Sequence, residues 1–158
     1  MKILDKNHIS KEKISEFFAE HWGSSQMVVS TGVYECSLLD GFVVTSECGV
    51  IKGLITFQID RSICEIISLD SIEEGRGIGT ALLKQTEKKA AVNHCKTMKL
   101  ITTNDNVEAL RFYQKRGYIL SKLLPNAVEK ARVLKPSIPH IGNHGIPLRD
   151  EIELRKQL

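Results

Sequence analysis

Proline is missing from everything before Pro125, and all four prolines (Pro125, Pro136, Pro139, Pro147) fall in one late stretch. Aromatic residues make up only 6% of the chain, with a single tryptophan. The four cysteines, Cys36, Cys48, Cys64 and Cys95, form no C-x-x-C pair and have no histidine at short zinc-site spacing, so no metal site is expected and buried free thiols are. Charge of one sign is also scarce. The 22 Lys+Arg against 19 Asp+Glu leave a formal +3, too little for the broad basic face that sequence-independent nucleic-acid binding requires. No run approaches the roughly 18 apolar residues of a membrane span, and MKILDKNHIS carries no signal-peptide core. These absences predict a cytoplasmic protein with no nucleic-acid or membrane partner. At 158 residues the chain is long enough for one domain, 1–158, with its own core.

Regular patterning fills the body of the sequence. Residues 9–22 place Ile14, Phe17, Phe18 and Trp22 at helical spacing behind the N-cap candidate Ser10, with Gly23 as the stop. From 50 to 59 the odd positions are free of polar side chains, the period of a strand. A turn at Asp60-Arg61 leads to a second strand, SICEIISLD. A helix over about 78–93, a strand MKLITT and a helix VEALRFYQKR capped by Asn106 and ended by Gly117 follow. Tyr118–Leu124 and Ile146–Leu154 are weaker strand candidates, and the segment 125–147 reads as irregular. Pairing of the last strand across a two-fold axis would make a homodimer. Alternating strands and helices after a hairpin point to an α/β (α+β) fold, a mixed sheet with helices on both faces.

The junction Leu69 to Thr80 is the richest in chemistry. An apolar strand runs through Glu73-Glu74 into Gly75-Arg76-Gly77-Ile78-Gly79 and directly into a helix. Glycines there let a ligand approach the backbone, and the first-turn N–H groups favour an anion. Two other phosphate motifs are absent: there is no G-x-x-x-x-G-K-[ST], and Leu82 stands where the dinucleotide fingerprint needs its third small residue.

The segment Glu74-Gly75-Arg76-Gly77-Ile78-Gly79 resembles the [Q/R]-x-x-G-x-[G/A] signature of the GNAT superfamily of acyl-CoA N-acyltransferases, with Glu74 in place of the usual Gln or Arg. Asn106 to Tyr118 is similar to the superfamily's second motif, N-x-x-A-x-x-[F/L]-Y-x-x-x-G-[F/Y]. The two motifs and the preceding strand cover about residues 50–118, and KPSIPHIGNHGIPLRDEIEL resembles the C-terminus of a group of small bacterial members. The resemblance implies a mostly antiparallel sheet and acetyl-CoA as donor. It further implies that the backbone of Leu69 and Ser71 holds the pantetheine arm and acetyl carbonyl, that Arg76, Gly77, Ile78, Gly79 and Thr80 hold the pyrophosphate, and that Asn106 contacts the donor.

Acetyl transfer from a thioester to an amine also needs a base and an acid. Tyr113, in the second motif, is the candidate acid, because a phenol with a pKa near 10 stays protonated until the thiolate leaves; otherwise it is a core aromatic. Glu65 is the candidate base, a carboxylate that simple alternation puts on one strand face with Ile63, Ile67 and Leu69, unless a bulge changes its face. His21, beside Trp22, is a weaker candidate, and His94 and the Lys84, Lys88, Lys89 group read as helix-end and solvated residues. The expected activity is transfer to a small-molecule primary amine in a ternary complex. Its alternatives are a peptide or protein amine as acceptor, or a CoA-binding regulatory protein without turnover.

Overall fold

The computed structural model describes residues 1–158. In chain order the elements are β1 (Ile3–Asp5), α1 (Lys11–Trp22), β2 (Gln26–Val29), β3 (Gly32–Glu35), β4 (Asp40–Thr45), β5 (Ile51–Asp60), β6 (Ile63–Ser71), α2 (Ile78–Val92), β7 (Thr97–Thr103), α3 (Val107–Gln114), β8 (Ile119–Leu124), α4 (Ala127–Leu134) and β9 (Glu151–Gln157). Seven strands hydrogen-bond in the order β1-β4-β5-β6-β7-β9-β8, and β2 and β3 form a separate two-stranded sheet. Antiparallel pairing joins β1 to β4, β4 to β5, β5 to β6 and β8 to β9, the mixed, mostly antiparallel sheet expected from the sequence. Contacts divide the chain into two compact units, residues 1–27, 35–98 and 158, and residues 28–34 and 99–157.

In the first unit the sequence signals translate directly into structure. Ser10 caps α1 by accepting a hydrogen bond from the Lys13 N–H at 3.3 Å, and Gly23 ends it with a left-handed φ of 75°. Ile14, Phe17 and Phe18 form its buried stripe. The β5–β6 hairpin turns on Arg61, with a φ of 56°. Its register breaks between Thr56, which faces Ser68, and Phe57, which faces Ile66, so Ile67 is an extra residue in β6.

That bulge corrects the face expected for Glu65. Glu65 pairs with Gln58, Ser68 with Thr56 and Asp70 with Leu54, so Glu65 lies on one face with Ser68 and Asp70, and Leu69 lies on the other. The Thr56 and Ser68 hydroxyls, 2.6 Å apart, mark this face as internally polar. On the opposite face α2 packs over Gly53, where an added Cβ would sit 2.4 Å from Ile78 Cγ2. Lys6 and α1 cover the first face: Lys6 Cδ lies 3.2 Å from a Cβ placed on Gly41, and Trp22 reaches Asp70. Helices on both faces therefore hold for this unit.

The second unit explains the tail. The expected irregular stretch 125–147 contains α4, because Ala127, Val128 and Ala131 form a short buried stripe that a reading led by prolines overlooks. Arg132, 8% exposed, gathers the following loop by donating to the carbonyls of Ile138 (3.1 Å), Pro139 (2.8 Å) and Leu148 (2.5 Å). The last strand begins at Glu151, later than the expected Ile146–Leu154, since Asn104 captures the backbone before it: its Oδ1 accepts from the Arg149 and Asp150 N–H groups and its Nδ2 donates to the Pro147 carbonyl. β9 has neighbours on both sides, so the edge strands of the large sheet are β1 and β8 and not the last strand. Glu151, 1% exposed, accepts from both the backbone N–H and the hydroxyl of Ser30, which ties the β2–β3 turn to β9.

Candidate functional site

The first unit carries a strand end, a loop and a helix end in unbroken succession. Ile72 N–H donates to the Lys52 carbonyl at 3.0 Å, which makes Lys52–Ile72 and, two residues on, Leu54–Asp70 the hydrogen-bonded pairs of this antiparallel ladder. Leu69 and Ser71 occupy the alternate positions, so their backbone N–H and C=O groups turn away from β5. Past Ser71 the chain is braced by its own polar contacts: Ser71 Oγ donates to the Glu73 carbonyl at 3.1 Å, and Glu73 takes Lys52 Nζ at 2.9 Å and lies 3.5 Å from Arg76 Nε. The Lys52 ammonium holds the Glu73 carboxyl below its usual range.

Gly75 and Gly77 follow with φ of 75° and 72°, and nothing lies within 4 Å of a Cβ built on either. Their requirement for glycine is therefore conformational, not steric. Gly77 caps α2 without any side-chain hydrogen bond, at the positive end of the helix dipole. Ile78 points inward, 6% exposed against Gly53, so only its backbone belongs to this end; Arg76 and Glu74 are exposed, and Gly79 and Thr80 are half-buried. A loop of this shape, with a 15-residue helix behind it, is the local geometry that favours an anion.

On the face turned away from α2, Glu65 is half-buried, and Asp70 stands one residue from each of Leu69 and Ser71. The Trp22 indole N–H donates to Asp70 Oδ2. Burial pushes the Asp70 carboxyl up, opposed by that hydrogen bond and by His21. The His21 ring lies 4.4 Å from that of Phe17, tilted by 45°. The sequence reading passed over Asp70 and Trp22. The available signal was the same one that marked Glu65, a carboxylate at the end of an isoleucine-rich strand.

In the second unit Asn106 caps α3, its Oδ1 accepting from Ala109 N–H at 3.2 Å. Tyr113 is 6% exposed, its ring 5.0 Å from Phe112 and 5.4 Å from Tyr118. Phe112 also lies under the Arg116 guanidinium, 3.7 Å from the ring centre. Asp105, beside the cap, accepts from Thr103 Oγ1 (2.5 Å) and from both N–H groups of Asn143 (2.8 and 3.0 Å), so one loop both caps α3 and holds the tail. Of the remaining candidates, His94 is a left-handed turn residue after α2, with a φ of 63°. Cys36, Cys64 and Cys95 are buried free thiols, Cys48 is an exposed one, and burial pushes Cys64 up to about 12. No helix is long and apolar enough to cross a membrane.

Comparison with known proteins agrees with this geometry. The uncharacterized protein YdhI of Bacillus subtilis (strain 168) is 55% identical over 156 residues, 99% of this chain and 98% of that protein. A Bacillus subtilis acetyltransferase solved in complex with CoA superposes with a TM-score of 0.70 at 16% identity, over 99% of this chain and 98% of the other. A GNAT family acetyltransferase from Elizabethkingia anophelis with acetyl-CoA bound gives a TM-score of 0.64 at 24% identity, over 94% of this chain and 84% of the other. The sequence pattern of the acetyltransferase (GNAT) family matches residues 11–118, and this chain belongs to that family of N-acetyltransferases.

Proposed function

We propose that the 158 residues form one cytoplasmic domain that transfers the acetyl group of acetyl-CoA to the primary amine of a small molecule, by direct transfer in a ternary complex. The observation that supports this reading is the C-terminal end of β6: Leu69 and Ser71 turn backbone groups away from β5, and the strand leads straight to the N-terminus of α2, which has no side-chain cap. The strand end suits the pantetheine arm and acetyl carbonyl, and Arg76, Gly77, Ile78, Gly79 and Thr80 suit the pyrophosphate through backbone N–H groups. Backbone donors at the cradle make the Glu74 substitution tolerable, since its side chain points to solvent. Asn106 adds a contact to the donor beside its capping role.

In the transfer the ammonium proton passes to Glu65 directly or through water, and the neutral nitrogen bonds to the acetyl carbon. The carbon–sulfur bond breaks as Tyr113 protonates the departing thiolate, and the second proton leaving the nitrogen restores the Tyr113 phenol through water. Fixing donor and acceptor together supplies much of the rate, and matching acid and base adds about 10²–10⁴-fold. The bulge supports Glu65 by placing it on the polar face with Ser68 and Asp70 and not among the α2-facing apolar residues. Tyr113→Phe tests the assignment. Its turnover should fall by about 10²-fold or more while acetyl-CoA affinity by calorimetry stays the same; unchanged turnover removes the phenol from the reaction. Acceptance of peptides over small amines would shift the acceptor class, and binding without any turnover would leave a CoA-binding regulator.

A further inference from the structure

We propose that Asp70 anchors the acceptor as its ammonium ion, with the Trp22 indole as the wall of the same subsite, so that the acceptor is a primary monoamine carrying an apolar body. This rests on the transferase reading above and names the acceptor subsite within it.

Four observations on the first unit place the subsite. Asp70 lies between Leu69 and Ser71, whose backbone turns away from β5, so its Cα is about one residue's rise, ~3.3 Å, along the strand from each of the residues suited to the acetyl group. Its side chain is on the face opposite α2, the face it shares with Glu65 and Ser68. Trp22 donates to Oδ2, which fixes the carboxylate and leaves Oδ1 for a second donor. Trp22 is 37% exposed although its indole N–H is held, and an exposed indole face suits an apolar group or a cation.

Desolvation makes a half-buried carboxylate costly, and the neutral indole N–H does not balance its charge. His21 on α1 offsets the burial of Asp70 only in part, and Lys52 on β5 is paired with Glu73. A bound ammonium would supply the missing charge. One anchoring carboxylate beside one open aromatic surface suits a monoamine better than a polyamine, which needs several acidic partners.

Trp22 is the chain's one tryptophan, so its fluorescence reports this subsite without interference. The full chain, saturated with CoA, is titrated with 2-phenylethylamine, with 2-phenylethanol as the uncharged control. The proposal predicts a saturable change in Trp22 emission for the amine, at least about tenfold weaker for the alcohol, and at least about tenfold weaker for the amine in Asp70→Asn. An equal response to alcohol and amine in the wild-type chain, no saturable response there, or an undiminished response in Asp70→Asn overturns the proposal. The alcohol control needs no variant, so a folding defect in Asp70→Asn does not decide the matter. Calorimetry with acetyl-CoA separates the two levels: acetyl-CoA binding with no amine response overturns the anchor alone, whereas failure to bind acetyl-CoA overturns the transferase reading and the anchor with it.

Discussion

Gly53→Ala is the sharpest test of how the sheet positions the α2 end. A Cβ at residue 53 would lie 2.4 Å from Ile78 Cγ2, 3.1 Å from Leu82 Cδ1 and 3.2 Å from the Asp70 carbonyl oxygen. Carbon atoms pack best at about 3.5–4.0 Å, so the start of α2 must recede by about 1 Å or Ile78 must leave its rotamer. Overpacking of this kind costs about 1–3 kcal/mol. Ile78→Ala alone removes Cγ2 and leaves a void, at about 2–5 kcal/mol. In the double variant the new methyl enters that void, so the combined loss should fall short of the sum by about 1 kcal/mol or more. Urea denaturation of the four proteins measures the cycle, and calorimetry with acetyl-CoA reads the consequence: weaker binding in Gly53→Ala, partly restored in the double variant. Additive losses within about 0.5 kcal/mol would refute the packing of α2 on Gly53.

Glu153 carries the acid-stability prediction. Burial alone would raise its carboxyl, but the Ser121 hydroxyl, Arg155 and Lys99 outweigh burial and hold it down at about 2. A carboxylate depressed in the folded state stabilises fully above its unfolded pKa near 4.5 and loses that contribution as pH falls towards 2. The amount is on the order of 3 kcal/mol, and Glu153→Gln should flatten the acid limb of a urea midpoint-versus-pH curve between those limits; an unchanged limb contradicts the network. Gly142→Ala would place a Cβ 2.1 Å from Asp105 Oδ2, so it should release the tail from the α3 cap and destabilise by about 2 kcal/mol or more, read as a lower melting temperature. Of the four thiols, Cys48 alone should react rapidly with a disulfide reagent in the native protein, Cys64 reacting only on unfolding; fast labelling of two or more thiols would contradict their burial.

The parts of the fold that local pattern determines were the parts legible in the sequence. Alternation over 50–59, the Ser10 and Gly23 caps and the glycines before α2 each act within a few residues of themselves. β1 to β4 went unread because they are short, and Asp40–Thr45 has no alternation to mark it, being buried from Gly41 to Val44. The bulge at Ile67 was invisible for a related reason: Ile66 and Ile67 are both apolar and both buried, so slipping the register changes no hydrophobic pattern. Its effect falls on Glu65, the one residue whose face mattered. Asp70 was missed because its meaning comes from Trp22, remote in sequence. The tail resisted reading on the same ground, since Arg132, Asn104 and Asp105 hold it by bonds to backbone groups that carry no sequence signature.

The central claim, acetyl transfer from acetyl-CoA to a small amine, is tested most directly by free-thiol release from acetyl-CoA with mass detection of the N-acetyl product. The acceptor panel spans aralkyl and alkyl monoamines, polyamines, aminoglycosides, amino acids and short peptides, beside a no-acceptor control. The account predicts turnover above the control confined to primary amines, strongest for monoamines with an apolar body. Thiol release at the control rate across the whole panel, with no acetylated product, would contradict it.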